Sequence, residues 1–259
     1  MKWRFINTGE NTGKFNMAFD LLLTKVCRPD EAFLRLYKWK PYCISLGANQ
    51  LPQSINSSKA ISNNIDIVTR PTGGRAILHS EEITYSVVLP LNIDTSVRNI
   101  YHEVNVALKL GLGKYEPELE SIELEGAQPN FQSFYKEEKS AVCFAVPAKS
   151  ELKYAGKKLV GSAQRKLGNI VLQHGSVLCG SYHKNIIDYL NLPESKYNSV
   201  KSDIENTTIE LDSIIKKDIN YSRLADSLLS GFEDYFNIKF ENADTSYLMS
   251  MAEGSNIFA

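Results

Sequence analysis

The chain has 259 residues, of which 43% are hydrophobic and 23% charged, and its formal net charge at pH 7 is -1. A chain of this length buries enough apolar surface to fold without disulfides or a structural metal. The balanced charge argues against a general nucleic-acid-binding protein, which usually carries a strong basic excess.

The spacing of the cysteines and the N-terminal residues exclude several further classes of protein. Four cysteines lie far apart and form no C-x-x-C pair, at Cys27, Cys43, Cys143 and Cys179. This spacing predicts neither a zinc site nor a disulfide framework. The N-terminal residues lack the apolar segment of a signal peptide, and no run approaches the roughly 18 apolar residues of a membrane span. We therefore expect a cytoplasmic protein with reduced thiols and with no membrane or nucleic-acid partner.

The first ninety residues predict a mixture of strands and short helices. Apolar residues at helical spacing predict a helix over Phe15–Val26, and a second, short helix is expected at Ser57–Ser62. The predicted strands are Trp3–Ile6, Ala32–Tyr37, Cys43–Gly47 and Ile65–Thr69. Alternating apolar residues then predict a β segment over Ala76–Leu89.

The remainder of the chain predicts one long helix, an irregular stretch, a β-meander and a helical end. A helix is expected over Val97–Leu110, and the polar residues 113–142 are the best candidate for a long mobile loop. The meander consists of three predicted strands, Glu151–Tyr154, Lys158–Gln164 and Ile170–Leu178.

The last third is predicted to be mainly helical. Thr207-x-x-Glu210 fits a capping box at a helix start. An amphipathic stripe runs from Tyr221 to Tyr235. The pattern as a whole predicts an α+β fold, with mixed β-sheets covered by packed helices. We expect a single catalytic domain over residues 1–259, with a small helical C-terminal segment from about residue 203.

The first segment that could carry chemistry is the run from Arg70 to His79, Arg-Pro-Thr-Gly-Gly-Arg-Ala-Ile-Leu-His. Gly73 and Gly74 would allow the backbone to approach a ligand closely or to take a positive φ. The flanking Arg70 and Arg75 can bind a phosphate or a carboxylate. A tight β-turn with two exposed arginines fits the same pattern, and spacing alone does not decide between the two.

The second segment is Lys157–Gln164, where Gly161, Ser162 and Ala163 fall in the middle of a predicted strand. A glycine inside a strand often marks close approach by a ligand or by another backbone. Lys158 stands three residues earlier and could direct its ammonium into the same space. A β-bulge with surface lysines is the alternative explanation.

The third segment is Gln173-His174-Gly175-Ser176, a histidine late in a predicted strand. Such a histidine is more often a structural residue than a catalyst. Cys143 ends the irregular stretch, and on residue type alone such a cysteine is more often a small buried hydrophobe than a nucleophile.

Together these segments resemble the biotin/lipoate protein ligase superfamily, and most closely the cysteine-dependent octanoyltransferases of its lipoate-ligase-like branch. The resemblance extends over roughly residues 2–240. It rests on the order of six segments: Phe15–Asp20, Arg70–His79, Glu82–Ser86, Cys143-Phe144, Gly156–Gln164 and Leu172–Ser176.

The resemblance implies a catalytic domain of the biotin/lipoate ligase fold and a set of site residues. Cys143 matches the family's nucleophile, and Lys158 matches the lysine that contacts the acyl carbonyl. The implied substrate-binding residues are Arg70, Gly73, Gly74, Arg75, His79, Gly161, Ser162, Ala163, His174 and Gly175. No metal site is implied.

The resemblance also implies a reaction. Octanoyl-acyl carrier protein would donate its acyl group to Cys143, and the acceptor would be a lysine of a lipoyl domain or of the glycine cleavage H protein. The acceptor lysine, with a pKa of about 10.4, must lose a proton before it attacks. His79 and His174 are both candidates for the base.

Two other reactions stay open at this point. An ATP-dependent lipoate–protein ligase would require ATP and Mg²⁺, whereas an octanoyl amidotransferase would move the acyl group between lipoyl domains. Ligases of the family typically keep a third glycine where this chain has Arg75, and Arg-Asn-Asp where it has Val142-Cys143-Phe144. We therefore expect a transferase without a cofactor. A non-enzymatic carrier-binding module is disfavoured by the presence of both Cys143 and Lys158.

Overall fold

The computed structural model of the chain describes residues 1–92, 95–126 and 151–254. The strands in these ranges are β1 (Lys2–Asn11), β2 (Glu31–Trp39), β3 (Cys43–Leu46), β4 (Asp66–Thr69), β5 (Ile77–His79), β6 (Glu82–Pro90), β7 (Glu123–Leu124), β8 (Leu152–Tyr154), β9 (Lys157–Leu167), β10 (Ile170–Leu178) and β11 (Glu241–Asn242). The α-helices are α1 (Gly13–Val26), α2 (Ser57–Ser62), α3 (Val97–Tyr115), α4 (Glu194–Thr207), α5 (Leu211–Ile215), α6 (Tyr221–Phe236) and α7 (Thr245–Gly254). Short 3₁₀ helices cover Pro52–Ser54, Pro117–Ser121 and Ser181–Tyr189.

The strands form two sheets. The larger has the order β11-β1-β2-β6-β10-β9-β8-β7, and the smaller has the order β4-β3-β5. In the large sheet β1 and β2 are parallel, whereas β2, β6, β10 and β9 follow one another antiparallel. The mixed sheets and packed helices confirm the predicted α+β class.

Helices cover both faces of the large sheet. On one face α3 and α6 share the largest hydrophobic core with strands β2, β6, β9 and β10. These two helices pack closely because a side chain on Gly231 would overlap the backbone of Gly111. On the opposite face α1 and α7 pack against β1, β2, β6 and β10. The small sheet has its own core with α2, α4 and the 3₁₀ helix Ser181–Tyr189.

Most predicted elements are confirmed, including the three strands of the meander and the helix that carries the Tyr221–Tyr235 stripe. The prediction of continuous β structure over Ala76–Leu89 is wrong in one respect. A turn in which the Glu82 amide donates to the Ser80 carbonyl, at 3.0 Å, separates β5 from β6. The first strand joins the small sheet and the second joins the large sheet, so this turn links the two sheets.

Two further predictions need correction. Thr207 ends α4 instead of starting a helix, and its hydroxyl donates back to the Asp203 carbonyl, so the predicted capping box does not form. Residues 113–126 are not irregular, because they complete α3 and form the 3₁₀ helix and β7. The rest of the predicted loop, residues 127–142, lies outside the described residues. None of the described helices combines the length and apolarity that a membrane span requires.

Candidate active site

A narrow, partly enclosed cleft of ≈ 370 Å³ lies between the two sheets. Seven of the predicted site residues line it: Arg70, His79, Gly161, Ser162, Ala163, His174 and Gly175. Apolar side chains complete the wall, among them Met17, Trp39 and Ile77.

Arg70 is buried and organises the loop that follows it. Its guanidinium makes five hydrogen bonds: two to the Gly73 carbonyl, one to the Arg75 carbonyl, and one each to the carbonyl and hydroxyl of Ser45. These bonds match the five N–H donors of an arginine. Arg70 therefore holds the loop against β3, and it also lines the cleft.

The glycines of this loop differ from each other. Gly74 has a φ of 98°, a conformation that side-chain-bearing residues rarely adopt. Gly73 has open space where a Cβ would stand. The loop's next residue, Arg75, is partly buried. None of these three residues lines the cleft itself, although the loop that they form adjoins it through Arg70.

His174 belongs to a buried chain that connects α1 to this loop. Its Nδ1 lies 3.1 Å from an oxygen of Asp20, and its Nε2 lies 2.6 Å from the hydroxyl of Thr72. Burial would raise the pKa of Asp20, but the hydrogen bond from His174 and the charge of Arg35 hold it below its usual value. Because a carboxylate only accepts hydrogen bonds, Nδ1 of His174 carries the proton, and the Thr72 hydroxyl donates to Nε2.

His79 belongs to a second chain of the same kind. Its Nδ1 lies 2.8 Å from Glu82 Oε1, and its Nε2 lies 2.8 Å from the Ser45 hydroxyl. The imidazole also stacks on Trp39 with ring centroids 4.1 Å apart. Burial would raise the pKa of Glu82, but His79 and two hydroxyl donors hold it below its usual value. Each candidate base thus has both ring nitrogens bonded to other residues of the fold.

The small residues of β9 form one side of the cleft. Ala163 pairs with His174 and Gly161 pairs with Ser176, which puts all four on the same face of the sheet. The Ser162 side chain points to the other face, where its hydroxyl accepts from Tyr85 at 2.7 Å and donates to the Asn105 amide oxygen at 3.2 Å. Ser162 therefore borders the cleft through its backbone.

Close packing inside the fold requires a glycine at position 175. A Cβ at this position would meet the Tyr85 ring and the carbonyl oxygen of Gly161. The absence of a side chain allows the Tyr85 ring to lie beneath β10. From there its hydroxyl reaches Ser162 and accepts a hydrogen bond from Gln173 at 3.1 Å.

Lys158 is 3% exposed, and its ammonium lies 2.8 Å from Glu151. The β8–β9 register shifts here, because Leu152 pairs with Val160 whereas Lys153 pairs with Lys158. The shift leaves Leu159 as a bulge residue, and Leu159 and Val160 both enter the core beneath α3. Lys158 consequently returns to the face that carries Gly161.

The neighbouring lysine has a different environment. Lys157 lies near the surface, and its ammonium donates to the Glu205 carbonyl at 3.3 Å. Strict alternation counted back from Gly161 would have placed Lys157, not Lys158, on the cleft side of β9. The bulge reverses that order. Lys158 lies beyond the cleft lining itself, and Cys143 lies outside the described residues.

The three described cysteines are poor nucleophiles. Burial is the main cause that raises the pKa of each thiol, to about 12 for Cys27 and above its usual value for Cys43 and Cys179. A thiol reacts through its thiolate, so these residues remain protonated at neutral pH. Within residues 1–92, 95–126 and 151–254, no group of three or more His, Cys, Asp or Glu is placed to hold a metal ion.

Three buried carboxylates of the site are missing from the sequence-based set. Asp20 and Glu82 fall inside segments that carry the family resemblance, but a lone aspartate or glutamate in such a segment does not indicate a function. Glu151 is the first residue of a predicted strand in the meander. Opposite charges on neighbouring strands favour facing positions. In a meander, Glu151 could therefore have been predicted to pair with Lys158 on the next strand.

The sequence profile of the lipoyl protein ligase A/B catalytic domain matches residues 12–233, which is most of the chain. The chain belongs to this family. Its lipoyl ligase-type domain is also similar to proteins named octanoyltransferase LipM. That of Bacillus subtilis strain 168 is 30% identical over 262 residues, covering 94% of this chain and 90% of that protein. That of Clostridioides difficile strain 630 is 31% identical over 252 residues, with the same coverage of both chains. The protein is therefore an acyltransferase.

Solved structures confirm the fold of this lipoyl ligase-type domain. A lipoate-protein ligase A bound with ATP superposes with a TM-score of 0.75 at 17% identity, covering 98% of this chain and 96% of the other. A bi-partite lipoate protein ligase from Thermoplasma acidophilum gives a TM-score of 0.74 at 17% identity, covering 98% and 93%. At these identities the similarity establishes the biotin/lipoate ligase fold alone.

Proposed function

We propose that this protein transfers an octanoyl group from octanoyl-acyl carrier protein to a lysine of a lipoyl domain or of the glycine cleavage H protein, through a thioester on Cys143. The observation that carries the proposal is the narrow, mostly apolar cleft walled by the backbone of Gly161–Ala163. The small residues of this wall leave room for a thin, flexible acyl chain, and relatives of this chain are named octanoyltransferases.

The choice of Cys143 as nucleophile is supported by elimination and by resemblance. The other three cysteines are buried or half-buried thiols with raised pKa values. Cys143 is the remaining cysteine of the chain and matches the nucleophile position of the family. It also stands eight residues before Glu151, the buried partner of Lys158.

Lys158 has the electrostatic role in this proposal. An ordinary thiol with a pKa near 8.5 is only a few per cent thiolate at neutral pH, and a nearby ammonium raises that fraction. The same ammonium can donate to the oxyanion that develops on the acyl carbonyl. Such a donor is typically worth a factor on the order of 10² to 10³ in rate.

The two half-reactions balance without any further reagent. The Cys143 thiolate attacks the donor thioester, a C–S bond forms at Cys143, and the C–S bond to the carrier breaks with release of the carrier thiolate. The acceptor lysine then loses a proton to solvent, and its amine attacks the Cys143 thioester. A C–N bond forms, the Cys143 thiolate leaves, and an amide results.

We propose that the reaction requires neither ATP nor Mg²⁺. A thioester donor is already activated, and its conversion to an amide is favourable. Arg75 occupies the position at which ligases of the family typically keep a glycine, so the phosphate-binding loop of a ligase is altered here. The relatives that resemble this chain at 30% identity are octanoyltransferases, which supports the same conclusion.

The decisive experiment measures the intact mass of the protein after mixing with octanoyl-acyl carrier protein, without nucleotide. The proposal predicts one added octanoyl group that hydroxylamine removes and that a lipoyl domain then accepts on lysine. Octanoyl-lipoyl domain in place of the carrier tests the amidotransferase reaction. Free octanoate with ATP and Mg²⁺ should give no modification of a lipoyl domain, and pyrophosphate release in that mixture would establish a ligase instead.

A further inference from the structure

We propose that Glu151 is a positioning residue that keeps Lys158 protonated and aims its ammonium at the acyl carbonyl. The inference rests on the function proposed above, which requires Lys158 in its charged form. Neither the family resemblance nor the motifs around the cleft assign any role to Glu151, which lies before β8 and outside the cleft lining.

The first support is the burial of the pair. The side chains of Lys158 and Glu151 are each 3% exposed, and Nζ lies 2.8 Å from Oε1. Burial disfavours the charged form of a lysine, and a lysine transferred into a protein interior without a counter-ion tends to become neutral. A neutral amine would neither stabilise a thiolate nor donate with full strength to an oxyanion. The carboxylate of Glu151 opposes this loss of charge.

The second support is the position of the pair in the sheet. Leu152 pairs with Val160, so Glu151 stands one residue before that pair, at the level of Gly161. The bulge at Leu159 places Lys158 on the same face as Gly161. Because Gly161 has no side chain, the ion pair and the wall of the cleft share one side of β9. A fixed carboxylate here restricts the directions in which the long lysine side chain can point.

The other charged groups near Lys158 have partners of their own. Lys153, its register partner on β8, forms an ion pair with Glu125. The segment between α4 and α5 contributes Glu210, which pairs with Lys184 and His183. The ammonium of Lys157, next along β9, contacts the Glu205 carbonyl. Among the residues that the structure describes, Glu151 is the carboxylate seen in direct contact with the Lys158 ammonium.

The test compares the pH dependence of single-turnover acylation in Glu151→Gln and in the matched control Glu125→Gln. Glutamine preserves the shape of Glu151 and an oxygen acceptor but removes the charge. We expect the alkaline limb of the Glu151→Gln profile to move to lower pH. At about pH 8 the acylation rate should fall at least about tenfold, with partial recovery as the pH is lowered, because protonation restores the ammonium. Glu125→Gln should keep the wild-type profile.

Glu151→Asp provides the conservative variant and covers the case in which Glu151→Gln is unstable. Aspartate retains the charge, so its alkaline limb should stay at the wild-type pH while the rate falls through poorer alignment. A wild-type profile in Glu151→Gln, or an acid-shifted limb in Glu151→Asp, would overturn the inference. Lys158→Met separates this failure from failure of the proposed function, because normal acylation by that variant would refute the role of the lysine itself.

Discussion

A methyl group on Gly47 would overlap the carbonyl of Gly74, so the end of β3 and the loop that follows β4 touch backbone to backbone. A hydrogen bond from the Ala48 amide to the Thr72 carbonyl, at 2.9 Å, fixes the same approach. The opposite wall adds a third link, because the Arg165 guanidinium donates to the Pro71 carbonyl at 2.7 Å. The loop is thus held at both walls of the cleft.

The two adjacent glycines of this loop should respond differently to alanine. Gly74→Ala forces a side chain into a backbone with a φ of 98° and should lower the free energy of unfolding by about 1 kcal/mol or more. Gly73→Ala meets open space and should leave stability within about 0.5 kcal/mol of the wild type. Urea unfolding of both variants tests this difference. Equal loss in the two would contradict the assigned conformation of the loop.

Cysteine substitutions should separate the nucleophile from the structural thiols. Cys143→Ser should abolish octanoyl transfer and the acyl-enzyme mass. Cys27→Ala and Cys179→Ala should retain the chemistry. Cys43→Ala should also transfer the acyl group but should be less stable, since the Cys43 thiol is fully buried against α1. Alkylation with peptide mapping gives an independent readout, and normal turnover by Cys143→Ser would rule out the thioester route.

The paired lysines of β9 allow a matched comparison. Lys158→Met should lower the single-turnover acylation rate by a factor on the order of 10² to 10³, the usual effect of removing one oxyanion donor. Lys157→Met should stay within about threefold of the wild type, because its ammonium contacts the Glu205 carbonyl near the surface. Rapid-quench acylation at saturating donor measures both. Indistinguishable rates in the two variants would show that the wrong lysine has been assigned to the acyl group.

The buried histidines predict a loss of stability on the acid side of neutrality. Burial lowers the pKa of His174 and of His183 below the usual value of 6.5. As the pH falls below 6.5, the unfolded chain therefore binds protons that the folded protein does not, and the free energy of unfolding decreases. Asp20 and Glu82 have lowered pKa values, so their contribution is lost later, as the pH falls below about 4.5.

Urea denaturation at pH 7 and pH 5 tests this prediction. His174→Gln should reduce the difference in unfolding free energy between the two pH values. His102→Gln, which alters an exposed histidine on α3, should not. An unchanged pH dependence in His174→Gln would show that His174 is not the origin of the effect.

Local sequence patterns predicted the elements of this fold better than their connections. The helical stripe of α6 and the three strands of the meander follow from periodicity, because each is set by which residues face one core. The change of sheet at Ser80 depends instead on tertiary packing and leaves little local signal. The pattern at Thr207 also resembles a helix start when it is considered locally. In the fold, Thr207 is the last residue of α4.

The candidate site shows the same difference between what the sequence predicted and what it did not. Residue types and order selected the two histidines and the small residues of β9, which all line the cleft, and Lys158, which lies outside its lining. The sequence did not indicate that the Arg70 guanidinium donates its hydrogen bonds to the loop and to Ser45. It also did not indicate that Asp20 and Glu82 orient the two histidines. These relationships join residues that are distant in the chain, such as Asp20 and His174.

The bulge at Leu159 decides which of the two lysines shares a face with Gly161. If Leu159 paired regularly, opposite Lys153, then Lys158 would face the α3 core and Lys157 would share the face of Gly161. A protein engineer aligning this chain by its Lys-Lys pair alone would overlook that dependence. The bulge itself, and not only the number of residues between Lys158 and Gly161, is therefore the feature to preserve when the hairpin is transplanted, lengthened or redesigned.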